Sequence, residues 1–398
     1  MAALKYWIWL TTVPGLTNRS RLQLLAHFSS PEDVYYADTE EAMTAGLSRE
    51  QANRLADRSL ERSETILADC AKKELFVLTM DDAAYPARLR NIFDPPVLLY
   101  GKGAMPLFDE EAAVAVVGTR GATPYGIHSA EELSYEMAKD GALIVSGMAR
   151  GIDAAAHRGA LRAGGFTAAV LGCGVDIAYP EPNRRLYEDI AATGVILSEY
   201  APGTTPEGWR FPARNRIISG LSVATLVVEA PERSGALITA RTALDQGRDV
   251  FAVPGPIDAP ESRGCNQLIR SGAGLVARAW DLLEEYEYRF PHRLHAAAGK
   301  MPPPPEETTE VVPGEAEKVE TLPTMTREQL RGLTEDQLRV MRALSADRPM
   351  LTDELAEEIQ IPVRRVLASL TILEIDGFVR QSGARCFVRT AELPQEET

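Results

Sequence analysis

The middle of the chain alternates short apolar runs with amphipathic segments. The runs are nearly continuous in Val, Ile, Leu and Ala, and the segments between them have apolar residues at helical spacing. Near-continuous apolar strands separated by helices are typical of a parallel β-sheet covered on both faces. The pattern therefore predicts an α/β domain with strands at Phe76–Leu78, Val97–Tyr100, Ala113–Val117, Ala142–Ser146, Thr167–Leu171, Val195–Ser198, Val223–Glu229 and Val250–Val253.

The N-terminal residues have a different pattern, in which short helices alternate with turns. The turn signals are Val13-Pro14-Gly15-Leu16 and Gly46-Leu47-Ser48, and Ser48 precedes Gln51 at the spacing of a capping box. Paired turns of this type favour a small helical module of the helix-hairpin-helix or sterile-alpha-motif type. The residues alone leave open whether this module binds nucleic acid or is purely structural or self-associating.

The C-terminal part predicts three helices followed by a β-hairpin, which is a winged-helix arrangement. Its third helix has Arg364 and Arg365, but acidic neighbours leave DNA binding and partner docking equally favoured. The apolar positions and hairpin strands are Leu338, Met341 and Leu344, then Leu355 and Ile359, then Val366, Leu370 and Leu373, then Phe378–Arg380 and Cys386–Arg389 around a turn at Gly383.

Pro and Glu dominate the segment before this module, including the run Pro302–Pro305. Such a segment cannot bury enough apolar surface to fold alone, which predicts an extended linker. The chain is therefore expected to comprise a helical domain at 1–72, an α/β core at 73–290, the linker at 291–327 and a winged-helix domain at 328–390.

Composition and charge narrow the class of protein. The 398 residues are 45% hydrophobic and 25% charged, as in ordinary globular proteins, with no apolar run of membrane-spanning length. The N-terminus has no signal-peptide pattern, and the four cysteines lack zinc-site or disulfide spacing. We therefore expect a cytoplasmic protein with reduced thiols, no metal or other cofactor and no membrane insertion.

The net charge of −15 is a sum over the whole chain, and by itself it would disfavour nucleic-acid binding. Residues 301–398 hold 11 Lys and Arg against 19 Asp and Glu, so over half of the deficit is in the last quarter of the chain. Because binding depends on a local patch, the middle of the chain can still present a basic face.

One stretch, WRFPARNRIISGL at 209–221, combines cations with aromatic rings. Guanidinium groups neutralise phosphates, and ring faces stack on unpaired bases at about 1–3 kcal/mol per base. We expect Phe211 to be a stacking platform and the arginines to be phosphate ligands; an ion-paired helix surface is the plainer alternative. The candidate residues here are Trp209, Arg210, Phe211, Arg214, Asn215 and Arg216.

Several predicted strands end in a glycine-rich loop that opens a helix. Backbone N–H groups and the helix dipole at such loops favour a phosphate, although tight strand-to-helix turns need glycine in any α/β domain. In the first loop, Thr123 and Pro124 are expected at the N-cap and first helical position. The loops are Gly118-Thr119-Arg120-Gly121, Ser146-Gly147-Met148-Ala149-Arg150-Gly151, Gly172-Cys173-Gly174 and Glu232-Arg233-Ser234-Gly235.

Spacing disfavours several enzyme classes. The chain has neither G-x-G-x-x-G nor G-x-x-x-x-G-K-[ST], so a dinucleotide dehydrogenase and a P-loop ATPase are disfavoured. His128 and His157 lack the spacing of a zinc hydrolase. Asp153 and His157 are one helical turn apart, which favours a hydrogen-bonding pair on a helix surface over an acid–base pair.

Long motifs along the α/β region occur in the order found in one bacterial family. They are GTR at Gly118–Arg120, SGMARGIDAAAH at Ser146–His157, LGCGVDIAYPEPNRRL at Leu171–Leu186, FPARNRIISGLS at Phe211–Ser222 and SGALITA at Ser234–Ala240, with YPARLRNIFDPPVLLYGKG at Tyr85–Gly103. In these residues the chain resembles the DNA-processing family DprA, also called Smf. The resemblance implies an extended Rossmann-like core, a small helical N-terminal domain and often a C-terminal winged helix.

The resemblance also implies a function. Family members form homodimers that bind and shield single-stranded DNA and help load the recombinase RecA during natural transformation, with no enzymatic turnover. Weak duplex binding is expected as well. Many relatives have a Lys where this chain has Gly208, which leaves two alternatives: Arg210 replaces that charge, or the affinity for DNA is lower. The expected DNA-binding residues are Gly118, Arg120, Ser146, Gly147, Arg210, Phe211, Arg214, Asn215, Arg216, Ser234 and Gly235.

Two other functions stay open at this point. Related Rossmann-like phosphoribohydrolases cleave nucleotides with a P-G-G-x-G-T-x-x-E signature, but the corresponding loop from Pro231 to Thr239 lacks the paired glycines and the Glu. A regulator that senses a nucleotide and reads duplex DNA with the winged helix is the third candidate, and the acidic tail disfavours it.

Overall fold

The structure is a computed structural model that describes residues 3–295, 325, 330, 333–345, 350–381 and 386–391. The chain divides into two compact units at residue 300. Most of the predicted linker and the turn predicted at Gly383 lie outside the described residues. Among the described helices, none has both the length and the apolarity that crossing a membrane requires.

A nine-stranded sheet forms the middle of the first unit. Its strands are β1 (Phe76–Thr79), β2 (Leu98–Gly103), β3 (Ala113–Val117), β4 (Leu143–Ser146), β5 (Thr167–Val170), β6 (Val195–Ser198), β7 (Ala224–Val227), β8 (Asp249–Ala252) and β9 (Gly274–Leu275). They lie in the order β1-β2-β6-β5-β4-β3-β7-β8-β9. Each predicted apolar run overlaps one strand. In the order of the sheet, all neighbouring strands from β6 through β5, β4, β3, β7 and β8 to β9 pair in parallel.

Two features differ from the expected parallel sheet. β1 pairs antiparallel with β2, and β2 pairs antiparallel with β6. An apolar run indicates that a strand is buried on both faces, but it does not indicate the direction of the strand. The sequence pattern therefore could not predict the antiparallel pairing of β1 and β2. The short strand β9 was not predicted, because two residues give no periodic signal.

The alternation of side chains along the strands creates two hydrophobic cores, one on each face of the sheet. On β3, Ala113, Ala115 and Val117 enter one core, whereas Val114 and Val116 enter the other. The helices of the first unit are α1 (Leu4–Thr12), α2 (Asn18–His27), α3 (Pro31–Tyr36), α4 (Thr39–Thr44), α5 (Arg49–Leu55), α6 (Glu61–Lys72), α7 (Ala87–Arg90), α8 (Pro124–Lys139), α9 (Ile152–Arg162), α10 (Arg184–Thr193), α11 (Arg210–Gly220), α12 (Gly235–Asp245), α13 (Arg263–Arg270) and α14 (Trp280–Leu283).

Helices α1 to α6 form the predicted N-terminal helical module. Trp9, Leu10 and Leu24 are buried in its own core, and Ser48 and Gln51 form the predicted capping box. Trp7 and Ile8 of α1 instead pack into a core shared with strands of the sheet. The module is therefore anchored to the α/β core by its first helix.

The second unit has a winged-helix arrangement in its described residues. Its elements are α15 (Glu335–Ala343), β10 (Met350–Leu351), α16 (Thr352–Ile359), α17 (Val363–Ile375), β11 (Val379–Gln381) and β12 (Cys386–Arg389). The sheet order is β10-β12-β11. On α17, the expected recognition helix, Arg365 donates to both carboxylate oxygens of Asp336 at 2.8 and 2.9 Å.

Candidate nucleic-acid interface

The topology of the sheet creates a crevice at the carboxyl ends of β3 and β7. After β3 the chain continues through β4, β5 and β6 to one side, and β7 then returns to pair with β3 from the other side. Loops leaving such a switch point diverge and leave a ligand-sized crevice. Here the loop at Gly118–Gly121 and the loop at Pro231–Gly235 lie on either side of it.

Helix α11 forms one wall of this crevice. Phe211, Arg214, Asn215 and Ile218 recur at the spacing of one helix face, and all four line a cleft of about 570 Å³ together with Gly118, Arg120, Ser234 and Gly235. The predicted aromatic–arginine stretch and the predicted glycine loops are thus brought together. We call this the α11 cleft.

Phe211 carries two contacts on its ring. The Tyr179 ring stacks on it with centroids 5.5 Å apart and planes 24° apart, and the Arg120 guanidinium carbon lies 5.1 Å from its centroid. Phe211, Tyr179 and Arg120 also line a second cavity of about 650 Å³, with Cys173 and Pro180 among its other walls. Phe211, Tyr179 and Arg120 therefore belong to the walls of both cavities.

Arg214 lies in the protein interior, although it belongs to the predicted cationic stretch. Its side chain is only 3% exposed and donates hydrogen bonds to the carbonyl oxygens of Gly147, at 2.7 Å, and Val170. Burial lowers the pKa of its guanidinium to about 10, and the Asp153 carboxylate opposes that shift. Arg214 thus ties α11 to the ends of β4 and β5.

Arg216 and Arg210 also have protein partners. The Arg216 Nη atoms donate to both carboxylate oxygens of Glu199, at 2.7 and 2.8 Å, and its Nε lies 3.0 Å from a carboxylate oxygen of Asp94. Arg210 pairs with Glu207 at 3.0 Å. The plainer expectation of ion-paired arginines describes these two side chains well.

The loop donors after β4 are largely engaged within the protein. The Asp153 carboxylate accepts hydrogen bonds from the backbone N–H groups of Ala149 and Gly147, and the Ser146 hydroxyl donates to the Val116 carbonyl at 2.6 Å. Asp153 lies in the first turn of α9, where a carboxylate is favoured by the helix dipole. The protein therefore provides its own anion at this helix start.

The start of α8 also contains a carboxylate of the protein. Thr123 is the N-cap and Pro124 the first helical residue, as predicted. Buried Glu229 accepts hydrogen bonds from the Thr123 N–H at 2.8 Å and from its hydroxyl at 2.6 Å. Glu229 therefore occupies the helix start at which a phosphate was expected.

Asp153 and His157 are not the surface pair expected from their spacing. Both are buried, and the Nδ1 atom of His157 lies 2.7 Å from the Thr167 hydroxyl. Burial lowers the pKa of His157 to about 3, and burial raises the pKa of Asp153 against the opposing effect of Arg214. Helical spacing defines which residues share a face but not whether that face is exposed.

The exposed cations of the crevice are three arginines. Arg120 lines both cavities, Arg150 lines the larger cavity and Arg233 lines the α11 cleft. Within the ranges that the structure describes, none of their guanidinium groups lies within ion-pair distance of a carboxylate. Arg150, Arg233 and Tyr179 were not among the predicted DNA-binding residues, although Arg150 and Arg233 lie within predicted glycine-rich loops and Tyr179 lies within the motif at Leu171–Leu186.

Ser234 and Gly235 stand at the start of α12. The Ser234 hydroxyl accepts a hydrogen bond from the Ala236 N–H at 3.2 Å, and Gly235 is exposed with open space on the side where a Cβ would point. Asn215 faces the same cleft, and its side-chain oxygen accepts from the Arg214 Nε at 3.2 Å. These groups place hydrogen-bonding capacity beside the cationic side chains.

Comparison with known proteins connects this arrangement to one family. The family model for DNA recombination-mediator protein A matches residues 76–287, and the model for the DprA winged helix domain matches residues 325–384. Protein Smf of Synechocystis sp. is 35% identical over 398 residues, covering 94% of this chain and 96% of the relative.

Two comparisons with Streptococcus pneumoniae agree. Its DNA processing protein DprA is 39% identical over 298 residues, which is 72% of this chain and 100% of the relative. The X-ray structure of DNA processing protein A from that organism aligns with a TM-score of 0.63 and 38% identity, over 71% of this chain and 97% of that one. The chain therefore belongs to the DNA recombination-mediator protein A family, whose members are also named DprA or Smf.

Proposed function

We propose that this protein binds and shields single-stranded DNA, without strict sequence preference, at the crevice beside α11. The observation that carries the proposal is the unit of Arg120, Phe211 and Tyr179, in which two aromatic rings and an exposed guanidinium group border two cavities. Aromatic faces accept any base, and a cation beside them neutralises the adjoining phosphate. The names of the relatives, DNA processing protein DprA, agree with this role.

The arginines of the crevice differ in their exposure to solvent, and we propose different roles for the exposed and the buried ones. Arg120, Arg150 and Arg233 are exposed and serve as phosphate ligands. Arg214 and Arg216 have their guanidinium groups against carbonyl and carboxylate oxygens of the protein, so they hold α11 in position instead. Asn215, Ser234 and Gly235 provide uncharged hydrogen-bonding groups to the strand.

The wider role is DNA processing in natural transformation and recombination, with no enzymatic turnover. A buried His157 with a pKa of about 3 is neutral at physiological pH and engaged with Thr167, which suits a structural residue better than a proton donor. The resemblance to the family supports RecA recombinase and a second copy of this chain as partners, weak duplex binding and a location in the cytoplasm.

The test is fluorescence-anisotropy binding of a random single-stranded oligonucleotide across a salt series. The wild type should bind, and log K should fall linearly with log salt concentration, because binding releases counterions. Phe211→Ala should weaken binding by about 1–3 kcal/mol, the value of one stacked base. Arg120→Ala should reduce the salt slope by about 0.7, the value for one phosphate of a single strand.

Arg162→Ala is the matched control. Arg162 pairs with Glu131 and Glu132 near the end of α9 that is remote from the crevice, so its loss should leave the affinity and the slope unchanged. Equal binding by the wild type and by Arg120→Ala/Phe211→Ala would move the site to another domain. A wild type that does not bind would contradict the proposal, and nucleobase release from nucleotides would then be assayed.

A further inference from the structure

Helix α2 of the N-terminal module contacts a loop that leads into β2. Asn18, the first residue of α2, donates from its side-chain nitrogen to the Asp94 carboxylate at 2.8 Å and to the Pro95 carbonyl at 2.7 Å. The start of α2 is itself fixed, because the Thr17 hydroxyl accepts from the Ser20 N–H at 3.1 Å. The Asn18 side chain therefore binds the loop at 94–95 to the module through two hydrogen bonds.

The same loop holds α11 from its other side. The Nε atom of Arg216 donates to the Asp94 carbonyl at 2.8 Å, and lies 3.0 Å from the Asp94 carboxylate. Its two Nη atoms bind both carboxylate oxygens of Glu199. Bidentate guanidinium–carboxylate pairs have a defined geometry, so they position a side chain as well as attract it.

Arg21 of α2 also interacts electrostatically with the carboxylates of Glu199 and Asp94. Arg21 stands three residues after Asn18, on the same helix face. It is largely buried and donates to the carbonyls of Leu10 and Thr11 at 3.2 and 2.8 Å. The field of these two carboxylates thus acts on Arg21 of the module as well as on Arg216 of α11.

Arg216 lies on the same helix as Phe211 and Asn215, so a change in its position would also move these two cleft residues. Phe211 and Asn215, on α11, line the cleft, whereas Arg216 of the same helix is absent from its walls and bonds toward Asp94 and Glu199. A shift of α11 at Arg216 would therefore move the Phe211 ring relative to Tyr179 and Arg120.

We propose that the N-terminal helical module is a positioning element of the strand-binding site, acting through the chain Asn18–Asp94–Arg216–Glu199 to set the position of α11. The inference rests on the proposed binding of single-stranded DNA for its functional consequence. The four residues act through α11 and do not touch the strand. The module then affects DNA affinity without making any DNA contact of its own.

The alternative is that Arg216 is itself a phosphate ligand. It would then have to leave the carboxylates of Glu199 and Asp94 and break four hydrogen bonds that hold it in a mostly buried place. Desolvation opposes its charge, but Glu199 and Asp94 raise the pKa of Arg216 above its ordinary value, which shows how strongly they hold the charged form. Salt dependence separates the two roles, because only a phosphate ligand contributes to counterion release.

The experiment uses the full chain and four variants: Asn18→Ala, Arg216→Gln, their double variant, and Gln23→Ala as the control on an exposed position of α2. Anisotropy with a random single-stranded oligonucleotide gives the affinity and the salt slope. Hydrogen exchange of the α11 amides gives the rigidity of the helix with no DNA present. Thermal unfolding checks that each variant is folded.

Asn18→Ala should weaken binding by roughly three- to tenfold, the effect of losing one or two hydrogen bonds. Arg216→Gln should weaken binding by at least as much, because it also loses the ion pairs with Glu199 and Asp94. Both should leave the salt slope unchanged and speed exchange across α11, and the double variant should be less than additive because the residues belong to one network. Gln23→Ala should behave as the wild type.

Three results would overturn the proposal. A fall of about 0.7 in the salt slope for Arg216→Gln would make Arg216 a phosphate ligand. Normal DNA affinity and normal hydrogen exchange of α11 in Asn18→Ala would show that the module does not position the site. Strictly additive losses of binding free energy in the double variant would show the same. If the wild type fails to bind DNA, the proposed function fails, while exchange across α11 still decides whether the network holds the helix.

Discussion

Arg214 offers the sharpest test of how the crevice is built. The sequence pattern marks it as a phosphate ligand, whereas its guanidinium group is buried against protein carbonyls. Arg214→Met keeps a long apolar stem of similar reach and removes the charge with all its donors. The carbonyls of Gly147 and Val170 would lose a donor, and the buried Asp153 carboxylate would lose the cation that opposes its desolvation.

The expected cost follows from these losses. Leaving a buried polar group without its hydrogen-bond partner typically costs about 1–3 kcal/mol, and here two carbonyl oxygens lose their donor. That is a large share of the roughly 5–15 kcal/mol by which domains are stable. For a unit of this size we expect a fall in melting temperature on the order of 10 °C. Arg120→Met is the matched control, since exposed Arg120 should change stability by less than about 0.5 kcal/mol.

The pH dependence of the loss distinguishes its cause. Burial already raises the pKa of Asp153, and removal of Arg214 should raise it further. A carboxyl with a raised pKa in the folded state favours folding when protonated, and this contribution is lost as pH rises through the folded-state pKa. Arg214 also lowers the pKa of His157, so its removal acts on the histidine with the same sign. The deficit of the variant should therefore shrink as pH falls from 7 toward 5.

Urea unfolding of wild type, Arg214→Met and Arg214→Met/Asp153→Asn measures these effects. The added Asn should restore at least about 1 kcal/mol at pH 7, because it removes the uncompensated charge. A deficit that is below about 0.5 kcal/mol would refute the reasoning. So would a deficit that is equal at pH 5 and pH 7 and is not reduced by Asp153→Asn.

Three further changes test neighbouring groups. Glu229→Gln should destabilise the protein by about 1–2 kcal/mol in urea unfolding, because the start of α8 loses its carboxylate at Thr123; an unchanged midpoint would contradict this. The lowered pKa of His157 means that wild-type stability is full above about pH 6.5 and falls as pH drops toward 3. His157→Asn should flatten that profile, and parallel unfolding curves would count against it. Tyr179→Ala should weaken single-strand binding about fivefold or more in anisotropy while Tyr179→Phe binds normally; equal losses would assign the effect to the hydroxyl.

The layered α/β architecture follows well from the apolar pattern. The run at Ala113–Val117 is β3 to the residue, and the Thr123-Pro124 and Ser48-to-Gln51 signals mark real helix starts. These signals depend only on neighbouring residues in the sequence, so they can be recognised without knowledge of the rest of the fold. The antiparallel pairing of β2 depends on which edge the strand joins, and no local pattern encodes that.

The motifs predicted which segments would meet at the candidate site, but not the surroundings of each side chain. The cleft does join α11 to the loops after β3 and β7, as the motifs indicated. Residue type alone could not separate Arg120 from Arg214, because an arginine suits a phosphate and a ring of carbonyl oxygens equally well. The separating fact is burial, and burial depends on Gly147 and Val170, which are distant in sequence.

The helix starts along this edge explain why side-chain cations matter so much here. Nucleotide-binding α/β domains use backbone N–H groups at a helix start to hold a ligand's phosphate. In this protein Glu229 occupies the start of α8, and Asp153 accepts the N–H groups before α9. Two sources of positive potential are thus neutralised internally, and the exposed guanidinium groups of Arg120, Arg150 and Arg233 remain. Long, exposed side chains suit a chain of phosphates with a variable path better than one fixed pyrophosphate, which favours a strand over a nucleotide as the ligand that we propose for this crevice.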